Sequence, residues 1–171
     1  MKQSTFSAQV ANNLLTVLQG YSKTIRLLLV MLLTLTVTTN AWGATYTKVT
    51  SAPADWSGEY IVVYESDNTA YVWTGVDAAK CNTTTTISNN SVTGDFVTVT
   101  IAQMTGGYSI KVNGGTNSGK YISGTSGSNK LNFNANAQLN TLSYETDWVK
   151  ITSNTSVLTF NKNSSDMRFR Y

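Results

Sequence analysis

Three strand–turn–strand patterns recur along this chain at almost equal spacing, and that period limits the architectures open to it. The first reads Tyr60-Ile-Val-Val-Tyr64, a polar turn, then Tyr71-Val-Trp73. The second reads Tyr108-Ser-Ile-Lys-Val112, a Gly/Asn-rich turn, then Tyr121-Ile-Ser123. The third reads Val157-Leu-Thr-Phe160, an Asn/Ser turn, then Met167-Arg-Phe-Arg-Tyr171. The opening strands start 48 and 49 residues apart, and the closing strands step by 50 and 48. A period of this size marks repetition of one supersecondary unit that buries its apolar face only against its neighbours.

No window after residue 43 sustains apolar residues at i, i+3, i+4 and i+7, so the pattern predicts no helix. Alternation is common instead: in Phe96-Val-Thr-Val-Thr-Ile101, Val97, Val99 and Ile101 share a face and Thr98 and Thr100 point away. Turn residues separate the runs, as at Asp67-Asn68, Gly106-Gly107, Asn113-Gly-Gly115 and Asn163-Ser-Ser165. Each hairpin is preceded by another apolar strand (46–49, 96–101 and 147–151), and weaker strands follow the first two (84–87 and 130–133). The expected fold is therefore all-β: a β-trefoil-like assembly or small barrel built from three pseudo-repeated hairpins, with a β-sandwich as the alternative. The third unit reaches Tyr171 without a further strand, so the expected barrel lacks its last strand. The open C-terminal edge would then favour self-association. The repeated aromatics Tyr60, Tyr71, Tyr108, Tyr121 and Phe169 are expected to fill the core.

The first 43 residues differ from the rest. Lys23 and Arg26 precede the apolar run Leu27 to Val37, and Ala41-Trp-Gly43 supplies a small-x-small site. This order predicts a signal peptide over 1–43, cleaved after Gly43, and a single secreted β domain over 44–171. The apolar run is shorter than the roughly 20 residues of a spanning helix. The expected location is secreted, in a periplasm or at the cell surface, with no membrane association after cleavage. The formal charge of +3 resides in Lys2, Lys23 and Arg26, and residues 44–171 carry nine basic and nine acidic side chains. A neutral domain lacks the basic footprint of a nucleic-acid binder. The lone Cys81 has no intramolecular disulfide partner, and only Lys80 beside it is basic, so it is read as a small, half-buried thiol.

Two resemblances bear on the fold. Gly-Lys-Tyr-Ile at 119–122 is similar to the Gly-Lys-Tyr-Leu element of ricin-type lectin repeats, although their glutamine–tryptophan signature is absent and Asp147-Trp148 is the nearest match. The opening Tyr-Thr-Lys-Val-Thr-Ser, the Gly-Glu-Tyr-Ile-Val strand and the terminal Arg-Phe-Arg-Tyr together resemble a secreted β module of Bacteroidetes surface proteins. That second resemblance covers almost all of the chain after residue 43 and implies a non-catalytic accessory domain.

Catalytic chemistry is thinly provided for. The chain has no histidine, which removes Ser-His and Cys-His pairs, zinc-histidine sites and the usual base near neutral pH. Paired carboxylates remain, as in glycoside hydrolysis, drawn from Asp55, Glu59, Glu65, Asp67, Asp77, Asp95, Glu145, Asp147 and Asp166. Most of these fall in turns or at strand ends. The oxygen-rich turns at 65–68 and 161–166 do not follow a calcium-loop spacing, so neither a metal nor a cofactor is expected. The Asn-x-Ser/Thr matches at Asn82, Asn89, Asn154 and Asn163 are expected by chance at this composition.

Binding is better provided for. Tyr60, Val62 and Tyr64 share one strand face, as do Tyr71 and Trp73, so two adjacent strands are candidates for a Tyr/Trp platform suited to sugar rings. Outside the repeated core positions, the candidate ligand-binding aromatics are Trp56, Tyr64, Trp73 and Tyr144. Arg168 and Arg170 alternate with Met167, Phe169 and Tyr171 and are expected to project together, either to meet an acidic group or to guard a sheet edge. The functional expectation is a secreted, non-catalytic binding module whose partner is a glycan or a surface protein. A structural or adhesive β domain is the alternative, and a carboxylate-based glycoside hydrolase comes third.

Overall fold

A computed structural model describes residues 43–80 and 82–171. The predicted signal peptide and Cys81 therefore lie outside the described residues, apart from Gly43. No helix occurs among the described residues. The first third holds β1 (Ala44–Thr47), β2 (Gly58–Tyr60), β3 (Val63–Ser66), β4 (Thr69–Trp73) and β5 (Asn82–Thr86). The middle holds β6 (Ser91–Gly94), β7 (Thr98–Met104), β8 (Gly107–Asn113), β9 (Tyr121–Ser123) and β10 (Asn132–Asn134). The last part holds β11 (Thr141–Tyr144), β12 (Val149–Ser153), β13 (Ser156–Val157), β14 (Thr159–Asn161) and β15 (Arg168–Arg170).

All three repeated hairpins form. β3 pairs with β4 through Tyr64 opposite Tyr71, β8 with β9 through Lys111 opposite Tyr121, and β14 with β15 through Phe160 opposite Phe169. The first opening strand is broken, however. Tyr60 pairs with Val99 of β7, whereas Val63 to Ser66 pair with β4, so the backbone changes sheets at Ile61-Val62. The bend keeps its ladder: the Trp73 amide donates to the Val62 carbonyl at 2.9 Å. Such a switch lets one run of chain serve two sheets.

Among the described residues the sheets are a five-stranded one in the order β10-β9-β8-β7-β2, two three-stranded ones (β3-β4-β5 and β11-β12-β13) and two pairs (β1-β6 and β14-β15). None closes on itself, so the expected small barrel is not present as a continuous hydrogen-bonded cylinder. At the tight β7–β8 turn, Gly106 supplies the left-handed φ of 86° that a two-residue connection needs.

Two apolar clusters hold the sheets together. The larger contains Trp56, Trp73, Val99, Ile101, Ile110, Val112, Ile122, Leu131, Phe169 and Tyr171. The smaller contains Ala70, Val72 and Val92, with Tyr46, Ile61, Ile87 and Phe96 packed on it. β4 belongs to both, because Ala70 and Val72 alternate with Trp73 along one strand. It is buried on two faces, which is why Thr-Ala-Tyr-Val-Trp reads as an almost unbroken apolar run. Of the repeated aromatics expected in the core, Phe169 is buried, while Tyr60, Tyr71, Tyr108 and Tyr121 are only half-buried. Of the sequence-equivalent positions, Tyr60 and Tyr108 are half-buried against the main cluster, and Val157 is half-buried.

One buried polar residue joins the parts. Asn140 is fully buried, and its Oδ1 accepts from the Tyr171 hydroxyl at 2.7 Å. Its Nδ2 donates to the carbonyls of Ile122 and Gln138 at 3.3 and 3.1 Å. Its backbone exchanges two 2.8 Å hydrogen bonds with Tyr108. Every polar atom of the side chain is satisfied, as burial requires.

Candidate functional site

The five-stranded sheet has two unlike faces, and the reason lies in the period-two alternation of its strands. Val99, Ile101, Ile110, Val112 and Ile122 point into the main core. Their neighbours therefore point to the other side. There, register places five residues in one row across the whole sheet: Glu59 opposite Thr100, Thr100 opposite Lys111, Lys111 opposite Tyr121, and Tyr121 opposite Asn134. Directly opposed residues project on the same face, and at normal strand spacing the row spans roughly 19 Å. On one side of it lie Thr98 and Asn113, and on the other Ala102, Ser109, Ser123 and Asn132.

This face is organised by its own hydrogen bonds. Asn113 donates to the hydroxyls of Thr98 and Thr100 at 3.2 and 2.8 Å, and the Thr98 hydroxyl donates to the Glu59 carboxylate. On the far edge Asn134 donates to the Ser123 hydroxyl at 2.9 Å and to the Tyr121 carbonyl at 3.3 Å. The small side chains are held in place, and Tyr121 and Lys111 stand between them, half-buried. The β2 end is acidic: Glu59 and Asp95 both act on the nearby Tyr46 phenol. That phenol is raised above its ordinary value first by burial and then by these two charges. A tyrosine ring flanked by fixed amide and hydroxyl groups can stack on an apolar ring face while its neighbours bond hydroxyls.

The residues expected from sequence to bind ligand are scattered. Trp56 and Trp73 are only 6% and 2% exposed and belong to the core, so the expectation that their rings are presented to a ligand is corrected. Trp73 is fixed on both sides, by an Nε1–H donated to the Val76 carbonyl at 2.8 Å and by stacking on Phe133. Tyr64 is half-buried, stacked on Phe160 at 4.6 Å, with the Lys162 ammonium 5.0 Å from its ring centre. The predicted Tyr/Trp platform is thus the inner lining of a hairpin junction. Tyr144 is half-buried against the core. Close to it the Lys48 ammonium bonds Glu65 at 2.8 Å, which raises its pKa, and the charge of Asp147 adds to that rise.

Arg168 and Arg170 do project together, opposite the buried Phe169 and Tyr171. Arg168 is already engaged, with its Nη1 bonded to Asp77 at 3.2 Å. Its Nε lies 3.1 Å from Asp166, close enough for charge pairing but not aligned as a hydrogen bond. Arg170 is half-buried and has no ion pair among the described residues.

Six of the nine carboxylates have protein partners. Asp55 accepts from the Ser57 amide, which lowers its pKa; Glu59 bonds Thr98; Glu65 bonds Lys48; Asp77 and Asp166 flank Arg168; and Glu145 accepts from Ser143. The 161–166 turn uses its oxygens internally, with Asn161 donating to the Asp166 carbonyl at 2.8 Å and Asn163 accepting from Ser165. Among the described residues no three acidic or thiol groups converge on a common point.

Sequence reasoning missed Tyr121 and Lys111 as surface residues. The signal was there: if Ile110, Val112 and Ile122 face inward, Lys111 and Tyr121 must face out. Trp148 was also passed over as a binding residue. It is 51% exposed in the β11–β12 turn. Comparison with protein-family models, with curated proteins and with solved structures finds no match to this chain.

Proposed function

We propose that this protein is a non-catalytic binding module for a glycan on or near a cell surface, and that it binds through the outer face of the five-stranded sheet. The observation that carries the reading is the Glu59–Thr100–Lys111–Tyr121–Asn134 row, an aromatic ring set among pre-ordered amide and hydroxyl groups. The structural engagement of most carboxylates and the lack of histidine favour binding over hydrolysis. The resemblance to secreted Bacteroidetes surface modules and the leader pattern support export. The formation of an antiparallel hairpin at each of the three repeated positions supports a trefoil-like relation among the units. A glycan-array screen of the protein beside its Tyr121→Ala variant tests the function. Binding that is lost in the variant supports the assignment, and binding that survives it moves the site elsewhere.

A second reading, as an adhesive β domain, rests on β5. This edge strand, Asn82-Thr-Thr-Thr-Thr86, carries no charge or proline to discourage pairing with another chain, and among the described residues its backbone ladder is formed with β4 alone. A monodisperse monomer in sedimentation at high concentration would exclude self-association through that edge.

A further inference from the structure

The ligand-binding face carries a charge pattern that specifies more than a generic sugar. Lys111 sits on β8, the middle strand of the five, half-buried between Thr100 and Tyr121, with Ser109 and Asn113 before and after it on the same face. None of these neighbours is charged, and Lys111 has no ion pair among the described residues. The acidic group in its row, Glu59, lies two strands away, roughly 10 Å at normal strand spacing. That carboxylate also accepts from the Thr98 hydroxyl. A lysine on a solvated sheet face commonly extends into water or pairs with a cross-strand acid. This one is surrounded by neutral donors and acceptors beside the aromatic ring.

We infer that the module selects glycans bearing an anionic group, a uronate carboxylate or a sulfate, which the Lys111 ammonium receives while the sugar ring lies over Tyr121. The inference rests on the glycan-binding reading and narrows its ligand class. It also fixes an orientation. Glu59, at the β2 end of the row, is repulsive to anions, so the rest of the ligand runs toward β9 and β10, where Asn132 and Asn134 can bond its hydroxyls. Ammonium–carboxylate and ammonium–sulfate bonds are charge-assisted and stronger than neutral ones, and a partly shielded site screens them less than open water does.

The test is calorimetry on the full chain with a uronate-containing oligosaccharide, the same oligosaccharide after reduction of its carboxyl groups, and a sulfated one. The expected result is at least about tenfold tighter binding of one or both anionic ligands than of the reduced one, weakening as salt is raised. Comparison of the uronate and sulfate arms identifies which anion is preferred. In Lys111→Gln the advantage of the anionic ligands over the reduced one should vanish. Lys111→Arg should retain most of it, and Lys150→Gln, on a different sheet, should retain all of it. Equal affinity for anionic and reduced ligands, or a preference that survives Lys111→Gln, overturns the inference and leaves the glycan reading standing. No binding to any of the three, with circular dichroism confirming a folded protein, overturns both.

Discussion

Asn140 and Tyr171 show how much of this fold hangs on single side chains. The Tyr171 ring lies against the backbone of Gly124, where an added Cβ would approach it to 2.7 Å, and its hydroxyl reaches the buried Asn140 amide. Asn140→Leu would strand that hydroxyl and two backbone carbonyls, so we expect a loss of about 2–3 kcal/mol in urea unfolding, each orphaned group adding to the cost. Burial also raises the Tyr171 phenol above its ordinary value of 10.0. The folded state therefore holds a proton that the unfolded chain releases. Stability from this source is complete below pH 10 and declines as pH rises above it. Unfolding midpoints measured from pH 9 to 11 should fall for the native protein and fall less steeply for Tyr171→Phe; parallel slopes would count against this. Neither residue was readable as special in the sequence, where Asn140 is one asparagine among many. Trp56 and Trp73 went the other way. Large aromatics outside the repeat suggested function, yet their size makes them the natural filling for junctions between small sheets.

At the scale of elements, strands were more legible than their surroundings. The hairpins at 64/71, 111/121 and 160/169 follow from alternation and turn residues, both local signals. What those signals do not encode is which sheet a strand joins. The run Tyr60 to Tyr64 looks continuous, and its division between β2 and β3 arises from tertiary pairing with β7. Recurrence with the other aromatics predicts a core position for Tyr121. Its true face is set by the register of β9 against β8, where Ile122 takes the inner side. β4 illustrates the energetic consequence of two-sided burial. Val72→Ala, which opens a void in the smaller cluster, should destabilise by about 2 kcal/mol. Thr84→Ala on the exposed side of neighbouring β5 should change stability by no more than about 0.5 kcal/mol. Similar losses from both would mean that β4 is not the better buried strand.

For the whole molecule, the shared strand decides whether the two apolar clusters melt separately. The smaller one, centred on Val72 and Val92, buries too little to hold β1 and β6 by itself, and small isolated strand pairs are marginal in water. Its support is the back of β4, whose front places Trp73 in the main core. Loss of β4 from either cluster exposes the other, so the described residues, which form one compact unit, should unfold as one. Tryptophan fluorescence reports the main core through Trp56 and Trp73, and far-ultraviolet circular dichroism reports all strands. The two should give coincident urea transitions, the signature of two-state behaviour. Ile110→Ala in the main cluster and Val92→Ala in the smaller one should each shift that single transition to lower urea without splitting it. The Ile110 variant should shift it further, because more methylene groups are lost from a site with no exposure. An early circular dichroism transition in Val92→Ala that leaves fluorescence unchanged would mean that β1 and β6 detach first, and that β4 does not couple the clusters.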